Sequence, residues 1–222
     1  MGRLYRAAAA MLAAALLSAL LLTGCSDSGS IKEDAENYVK AVLDLMCTGD
    51  YDYSVTFADA ESGKEPASRD AMIAEIVNSA AKDNDLNEEQ CAQLQDLITR
   101  AFPSCRYSVK SVKETDDGGC DVTVSIEPFK LFEGVSDALS QKAEELSADP
   151  EKAIAMTGEE QTAVLAEVLF AQLNQNLEDP HYDPFVEIVV HYGLLEGSED
   201  RYGIDENAGR ALGEKLFSRE GL

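Results

Sequence analysis

The fold is decided by residues 106–129, RYSVKSVKETDDGGCDVTVSIEPF, where two runs of alternating residues flank a turn sequence. In the second run, Val122, Val124 and Ile126 alternate strictly with polar residues, as expected for a strand with one buried face. Residues 116–119, Asp-Asp-Gly-Gly, favour a tight reversal of the chain. We therefore predict an antiparallel hairpin of Arg106–Lys113 with Cys120–Phe129, buried on one face.

A further strand signal lies late in the chain, at residues 185–192, FVEIVVHY. Both alternating sets of this run are largely apolar, which predicts a central position in the sheet. After a turn over residues 193–203, Ile204 closes a short strand. Residues 51–57, YDYSVTF, also alternate, and they indicate either an edge strand or an irregular turn of helix.

Helical periodicity fills most of the remaining chain. Apolar residues recur at every third or fourth position, and residues that favour the helix N-cap precede these stretches. Capping boxes begin at Ser30, Asn87 and Thr157, while Ser68 and Asp205 are single caps. The predicted helices run from Ile31 towards Gly49, through Met72–Ala80, from Cys91 to a stop at Pro103, over Leu131–Leu146, through Val164–Leu173, and through Ala208–Leu216.

This order of elements predicts an α+β domain with helices packed on one face of a small, mainly antiparallel, curved sheet. The order resembles the cystatin-like and nuclear-transport-factor-like folds, and Gly49-Asp50-Tyr51 is similar to the turn that ends their first helix. The resemblance implies a long N-terminal helix lying across the sheet. Two features depart from those folds, the helical stretch 149–177 inserted before the last strand and the small number of strands.

The N-terminus is typical of an exported precursor. Arg3 and Arg6 precede the apolar run 7–22, which is shorter than the roughly 20 residues that a membrane span needs. The next feature, Leu22-Thr23-Gly24-Cys25, resembles the lipobox of bacterial lipoproteins. The resemblance implies that the Cys25 thiol is diacylglycerated and that the chain is cleaved before it. It also implies lipid anchoring at the outer, extracytoplasmic face of a bacterial membrane.

Three segments follow from these signals. Residues 1–24 are predicted to be a signal peptide that is removed, residues 25–30 a lipid-anchored tether, and residues 31–222 a single α+β domain. The formal net charge of the chain is −24 at pH 7. Because such a surface repels phosphates and anionic headgroups, we do not expect nucleic acid to be a partner.

Four cysteines besides Cys25 are candidates for disulfides in an oxidising compartment. In the simple hairpin register, Cys120 faces Thr115 and Cys105 faces Lys130, so Cys105 and Cys120 lie roughly 30 Å apart and do not pair. Cys47 and Cys91 would then each pair with one of these two, in an order that the sequence leaves open. The alternative is four buried free thiols. No C-x-x-C spacing supports zinc.

No catalytic residue, metal ligand or cofactor is predicted from the motifs of the chain. A stretch that begins like a calcium loop at residues 83–87 lacks the carboxylate required at its twelfth position. The best enzyme hypothesis uses a histidine with a nearby carboxylate as a general base, in a fold that resembles isomerase and dehydratase scaffolds. The groups concerned are His181 or His191, with Asp179 or Asp183.

A candidate binding surface is indicated by polar and aromatic residues around the late strand. These residues are His181, Tyr182, Phe185, Tyr192 and Tyr202. We therefore predict a membrane-anchored, non-enzymatic module that binds an extracytoplasmic ligand or protein; the alternative is the small pocket enzyme. The substrate-binding lipoprotein of a transporter is a poorer fit, because the chain lacks the βαβ alternation of such proteins.

Overall fold

The computed structural model describes residues 30–50, 69–84, 86–148, 156–195 and 201–221. In these ranges the chain forms six α-helices and a four-stranded antiparallel sheet. The sheet is curved and unclosed, which confirms the predicted α+β class. Residues 1–29, including Cys25, the strand or helical turn predicted at 51–57, the Ser68 cap and the turn at 149–150 lie outside the described residues.

The elements follow the predicted order along the chain, with three helices before the hairpin and three after it. They are α1 (Ile31–Cys47), α2 (Arg69–Asn84), α3 (Glu88–Ala101), a 3-10 turn (Phe102–Ser104), β1 (Arg106–Glu114), β2 (Cys120–Glu127), α4 (Val135–Ala148), α5 (Gly158–Glu178), β3 (Val186–Leu194), β4 (Tyr202–Ile204) and α6 (Glu206–Leu216).

Side-chain caps begin four of these helices at the predicted residues. The Asn87 and Thr157 side chains each accept a hydrogen bond from the backbone N–H of the residue three positions later. The side chain of that later residue accepts in turn from the backbone N–H of the cap residue, which completes both capping boxes. The Ser30 hydroxyl accepts from the Glu33 N–H at 3.4 Å, and Asp205 accepts from Ala208 at 2.7 Å. Each cap satisfies an N–H group that has no partner within its helix.

The predicted helix over Leu131–Leu146 begins four residues late, at Val135. Residues 131–134 form a turn instead, and Gly134 has φ 73°, in the left-handed region that glycine adopts at little cost. Apolar periodicity continues through Leu131, which is buried although it is not helical. Periodicity therefore identified the burial of this residue but not the start of the helix.

The sheet has the strand order β1-β2-β3-β4, so β2 and β3 are interior strands. This position confirms the central placement expected for the run 185–192. The side chains of β3 differ between the two faces of the sheet: Val190 and Tyr192 are buried, whereas Val189 is 58% exposed. The second apolar set of this strand therefore lies on an open face of the sheet.

The hairpin turn departs from the simple register by one residue. Thr115 pairs with Gly119, whose carbonyl oxygen accepts the Thr115 N–H at 3.0 Å, so Cys120 faces Glu114 and the predicted pairing with Thr115 is wrong. The turn is shorter than expected because Gly118 adopts φ 82°. In addition, an Asp117 carboxylate oxygen accepts the Gly119 N–H at 3.1 Å.

A β-bulge shifts the hairpin register once more. The pairing jumps between Val109 and Ser111, which leaves Lys110 as the extra residue, and beyond it Arg106 faces Glu127. The predicted pairing of Cys105 with Lys130 is therefore also wrong, because the alternation of apolar and polar residues gives no sign of an inserted residue. The two cysteines still lie at opposite ends of the hairpin, because Cys105 precedes β1 and Cys120 begins β2 at the turn end.

The core lies between the helices and the inner face of the sheet. Helix α1 packs against β1, β2 and β4, and the Tyr38 ring lies 5.2 Å from the Tyr192 ring, centroid to centroid. The inner-face residues of β2, namely Val122, Val124 and Ile126, are fully buried. In the part of the chain that the structure describes, no helix has both the length and the apolar character needed to cross a membrane.

Candidate functional site

The predicted surface aromatics divide between the core and the open face. Tyr192 is 2% exposed and packs between Tyr38 and Tyr202, with ring centroids 5.2 and 6.0 Å away. It therefore belongs to the core, because strand alternation turns its side chain towards the helices. Tyr202 is half-buried against it. Neither residue supplies the exposed aromatic surface that the sequence suggested.

Phe185 is the predicted aromatic that lies most clearly at the surface. Its side chain is 64% exposed directly before β3, and strand alternation places it on the same face as Glu187, Val189 and His191. The partners of these positions on β2 are polar: Thr123 faces Val189 and Asp121 faces His191. The open face thus carries two exposed apolar side chains within polar surroundings.

Tyr182 joins three segments of the chain and is only partly accessible. Its hydroxyl donates to the Ser104 carbonyl oxygen at 2.8 Å, and its ring lies 5.6 Å from the Phe129 ring. The Arg106 guanidinium carbon lies 3.8 Å from the centroid of the Tyr182 ring, a cation–π contact. Tyr182 therefore holds these segments together, and its hydroxyl is already hydrogen-bonded.

His181 forms a dyad with a residue that sequence reasoning missed. Its Nδ1 lies 2.9 Å from a Glu133 carboxylate oxygen, while Nε2 lies 3.6 Å from Asp179. The hydrogen bond to Glu133 and the charge of Asp179 hold the pKa of His181 above its ordinary value. A histidine oriented by a carboxylate is an arrangement that general bases use, so this dyad is where the enzyme alternative would apply.

Lys130 is the centre of an ion-pair cluster beside this dyad. Its Nζ lies 2.6 Å from Glu220 and 3.4 Å from both Glu133 and Asp183, and the hydrogen bonds that it donates to Glu220 and Asp183 raise its pKa. Asp183 also accepts the Ser218 hydroxyl at 2.5 Å. The amine remains a cation rather than a nucleophile. No sequence signal marks this cluster, because its members come from three distant segments.

His191 lies in separate surroundings near the hairpin turn. Its Nδ1 is 3.1 Å from Asp121 and its Nε2 is 3.2 Å from Asp117. Hydrogen bonds from the Thr115 hydroxyl and the Gly119 N–H lower the pKa of Asp117, which keeps this carboxylate charged. His181 and His191 therefore have different carboxylate partners and do not share one site. Asp183, which the sequence hypothesis paired with a histidine, contacts Lys130 and Ser218 instead.

The remaining candidate ligands are the cysteines and the acidic residues. Among the described residues, no group of three or more His, Cys, Asp or Glu side chains is arranged to hold a metal ion. The four described cysteines are not bridged in this structure, and three of them are buried. Cys91, at the start of α3, is half-buried, and its thiol lies 3.9 Å from the Leu86 carbonyl oxygen.

The His181–Glu133 dyad leads to a prediction on pH. We expect His181→Asn to lower the free energy of unfolding near pH 5.5 and to leave it unchanged near pH 9. A raised histidine pKa stabilises the fold fully below the ordinary value of about 6.5, and this contribution is lost as the pH rises through the folded-state pKa. The pKa of Glu133 is lowered, so its contribution is present above about 4.3 and is lost in more acidic solution.

Urea unfolding of the unsubstituted protein and of His181→Asn between pH 5.5 and pH 9 measures this change in the free energy of unfolding. As a control, Glu133→Gln should lower the pKa of His181 in an NMR titration, because it removes the largest cause of the shift. An equal loss of stability for His181→Asn at pH 5.5 and pH 9 would show that the dyad makes no pH-dependent contribution.

The fold is similar to one solved structure, whereas no protein-family model and no curated protein matches the chain. That structure is the crystal structure of a "putative lipoprotein (ycdA)" from Bacillus subtilis. The two share 14% sequence identity at a TM-score of 0.50, and the match covers 84% of this chain and 56% of the other. The chain thus spans little more than half the length of that protein, and at this identity the likeness is one of fold.

Proposed function

We propose that the protein is a lipoprotein held by acylated Cys25 at the outer face of a bacterial membrane, where it acts as a non-enzymatic binding module. Two independent observations support the anchor. Leu22-Thr23-Gly24-Cys25 has the order of a lipobox, and the structurally similar Bacillus subtilis protein carries the description of a lipoprotein. The cystatin-like or nuclear-transport-factor-like character of the body belongs to the same proposal.

The anchor would hold the domain close to the bilayer. Helix α1 begins at Ile31, so residues 25–30 alone separate the acylated end from the folded core. Six extended residues reach about 20 Å at most. A binding surface on this domain would therefore meet partners that are themselves at the membrane or near it, and the binding would take place in the extracytoplasmic space.

The observation that carries the binding proposal is the exposure of Phe185 and Val189 on the open face of the sheet. Exposed aromatic side chains are the residues that most often anchor protein partners. The inner face, by contrast, is filled by α1 and by buried side chains such as Tyr38 and Tyr192. The open face thus presents an exposed aromatic ring together with an exposed valine, and we assign it to a protein partner.

A photo-crosslinking experiment tests this assignment. Benzoylphenylalanine placed at Phe185 should yield a discrete adduct in the cells that make the protein, since the probe keeps the aromatic ring of the residue it replaces. The matched control is the same probe at Asn37, which is exposed on α1, in the helical layer. Once the partner is identified, Phe185→Ala should weaken its binding by about 30-fold, the loss typical of a hot-spot residue.

Two results would contradict the proposal: equal adducts from Phe185 and Asn37, or unaltered binding of the identified partner by Phe185→Ala. The double variant His181→Gln/His191→Gln distinguishes the binding module from the enzyme alternative. A binding module should keep most of its affinity after this change, because Phe185 and Val189 remain in place on the open face, although His191 lies on the same face. Loss of binding in a folded double variant would instead assign the interaction to the histidines.

A further inference from the structure

Cys47 and Cys105 end two neighbouring elements and meet in the core. Cys47 is the last residue of α1, and Cys105 directly follows the 3-10 turn. Their exposed fractions are 1% and 9%, and both belong to the same buried core cluster. The Cys105 thiol lies 4.0 Å from the Ala101 carbonyl oxygen, and burial, followed by the neighbouring Cys47 thiol, raises its pKa. Two buried thiols from distant parts of the chain thus lie close together.

Contacts on either side keep this end of α1 against the start of β1. The Tyr107 hydroxyl donates to the Asp44 carboxylate, one turn before Cys47. The Arg69 guanidinium donates to the Thr99 carbonyl oxygen in the last turn of α3. Helix α1 also packs against the 3-10 turn. The proximity of the two thiols is therefore fixed by the packing of three helices and a strand.

The other two thiols occupy different environments. Cys91 lies at the start of α3 and contacts its own preceding loop at the Leu86 carbonyl oxygen. Cys120 begins β2, where it faces Glu114 on one side and Tyr192 on the other. Because Cys105 lies at the opposite end of the hairpin, Cys120 is not placed to compete for it. The packing thus distinguishes between the pairings that the sequence left open.

We propose that Cys47 and Cys105 form a disulfide in the mature protein, whereas Cys91 and Cys120 remain thiols. The proposal rests on the extracytoplasmic location proposed above, because a disulfide persists in an oxidising compartment. The oxidant is a protein or small-molecule disulfide. One thiolate attacks it to give a mixed disulfide, and the second thiolate displaces the other sulfur, so that two thiols become one disulfide while the oxidant is reduced to two thiols.

The bridge would close a loop from residue 47 to residue 105, which includes all of α2 and α3. Closing a loop of this length in the unfolded chain removes conformational entropy from it and stabilises the fold. For a domain of this size, we expect reduction to lower Tm by roughly 5–15 °C. Cys91→Ser is the matched control, since it removes a half-buried thiol that takes no part in the bridge and should not change the effect of reduction.

The test uses two preparations of the full chain. One is extracted with detergent from the membranes of the producing cells; the other carries Cys25→Ser, is reduced in denaturant and is refolded with oxidised glutathione. Both are denatured without reductant, alkylated and digested for mass spectrometry. The expected result in both is a crosslinked peptide pair containing Cys47 and Cys105, with Cys91 and Cys120 alkylated. Cys47→Ala should remove the crosslink and the sensitivity of Tm to reductant.

The outcomes separate the pairing from the location. Four alkylated thiols in the refolded chain, or a bridge that uses Cys91 or Cys120, would overturn the proposed pairing and leave the membrane anchor unaffected. A bridge in the refolded chain together with four thiols in the cell-derived protein would overturn the bridge in the mature protein and would argue against export. The peptide map of the unsubstituted cysteines decides both points even where Cys47→Ala does not fold.

Discussion

Replacing Cys25 with serine is expected to abolish acylation of the protein almost completely and to leave residues 1–24 attached. The effect is large because acylation depends on the thiol of one residue. Stable attachment needs two acyl chains, each burying about 0.8 kcal/mol per CH₂ group, and a serine at this position accepts neither the thioether-linked diacylglycerol nor the cleavage that follows it. The short tether of residues 26–30 contains no other lipid attachment site.

Incorporation of an alkyne-labelled fatty acid measures the lipid, and the mass of the protein recovered from each variant shows whether residues 1–24 remain attached. Cys91→Ser is the control, because it removes a thiol within the folded domain and should keep both the label and the removal of residues 1–24. The anchor proposal fails if the unsubstituted protein carries no fatty acid, or if it is found soluble with its first 24 residues still attached.

Replacing Phe129 with alanine is expected to destabilise the fold by about 3–5 kcal/mol, the range for truncation of a buried phenylalanine. Phe129 is fully buried, with its ring 5.6 Å from Tyr182 and 6.1 Å from Phe217. Its backbone also connects distant segments, since its N–H donates to the Leu216 carbonyl oxygen and its carbonyl oxygen accepts the Ser218 N–H. A cavity here would face side chains that cannot all move to fill it.

Urea unfolding of the full chain carrying Cys25→Ser, with and without the change, measures this loss. Phe185→Ala is a matched control, because it removes the same group from a side chain that is 64% exposed, and it should change stability by less than about 0.5 kcal/mol. A loss below about 1 kcal/mol for Phe129→Ala would show that the segments around it are held together by other contacts.

The parts of the fold that obey local rules could be predicted from the sequence. Asn87, Thr157 and Asp205 cap helices because a side-chain oxygen reaches an N–H group only three residues away, so the signal lies within one short stretch of sequence. Alternation in Val122–Ile126 likewise predicted a strand with one buried face. These expectations needed no knowledge of the tertiary structure.

The parts that depend on distant contacts could not be predicted in this way. Lys130 meets Asp183 and Glu220, residues that become neighbours only after the chain has folded. The bulge at Lys110 does not hide the apolar pattern that predicts the strand, but it changes which residues of β1 and β2 face each other. For the candidate site, Phe185 is exposed, but its role in binding stays a prediction, and the burial of Tyr192 depends on the helix that covers it.

The packing of Tyr38 against Tyr192 has a consequence for how the chain acquires its structure. A helix near the beginning of the chain finds its partners on strands made almost at the end of synthesis, and Phe217 completes the surroundings of Phe129 later still. Contacts between such distant residues form slowly, because the entropy of closing the intervening loop is lost before they form. We therefore expect a nascent chain to stay open until it is nearly complete, which would suit the export that is proposed above.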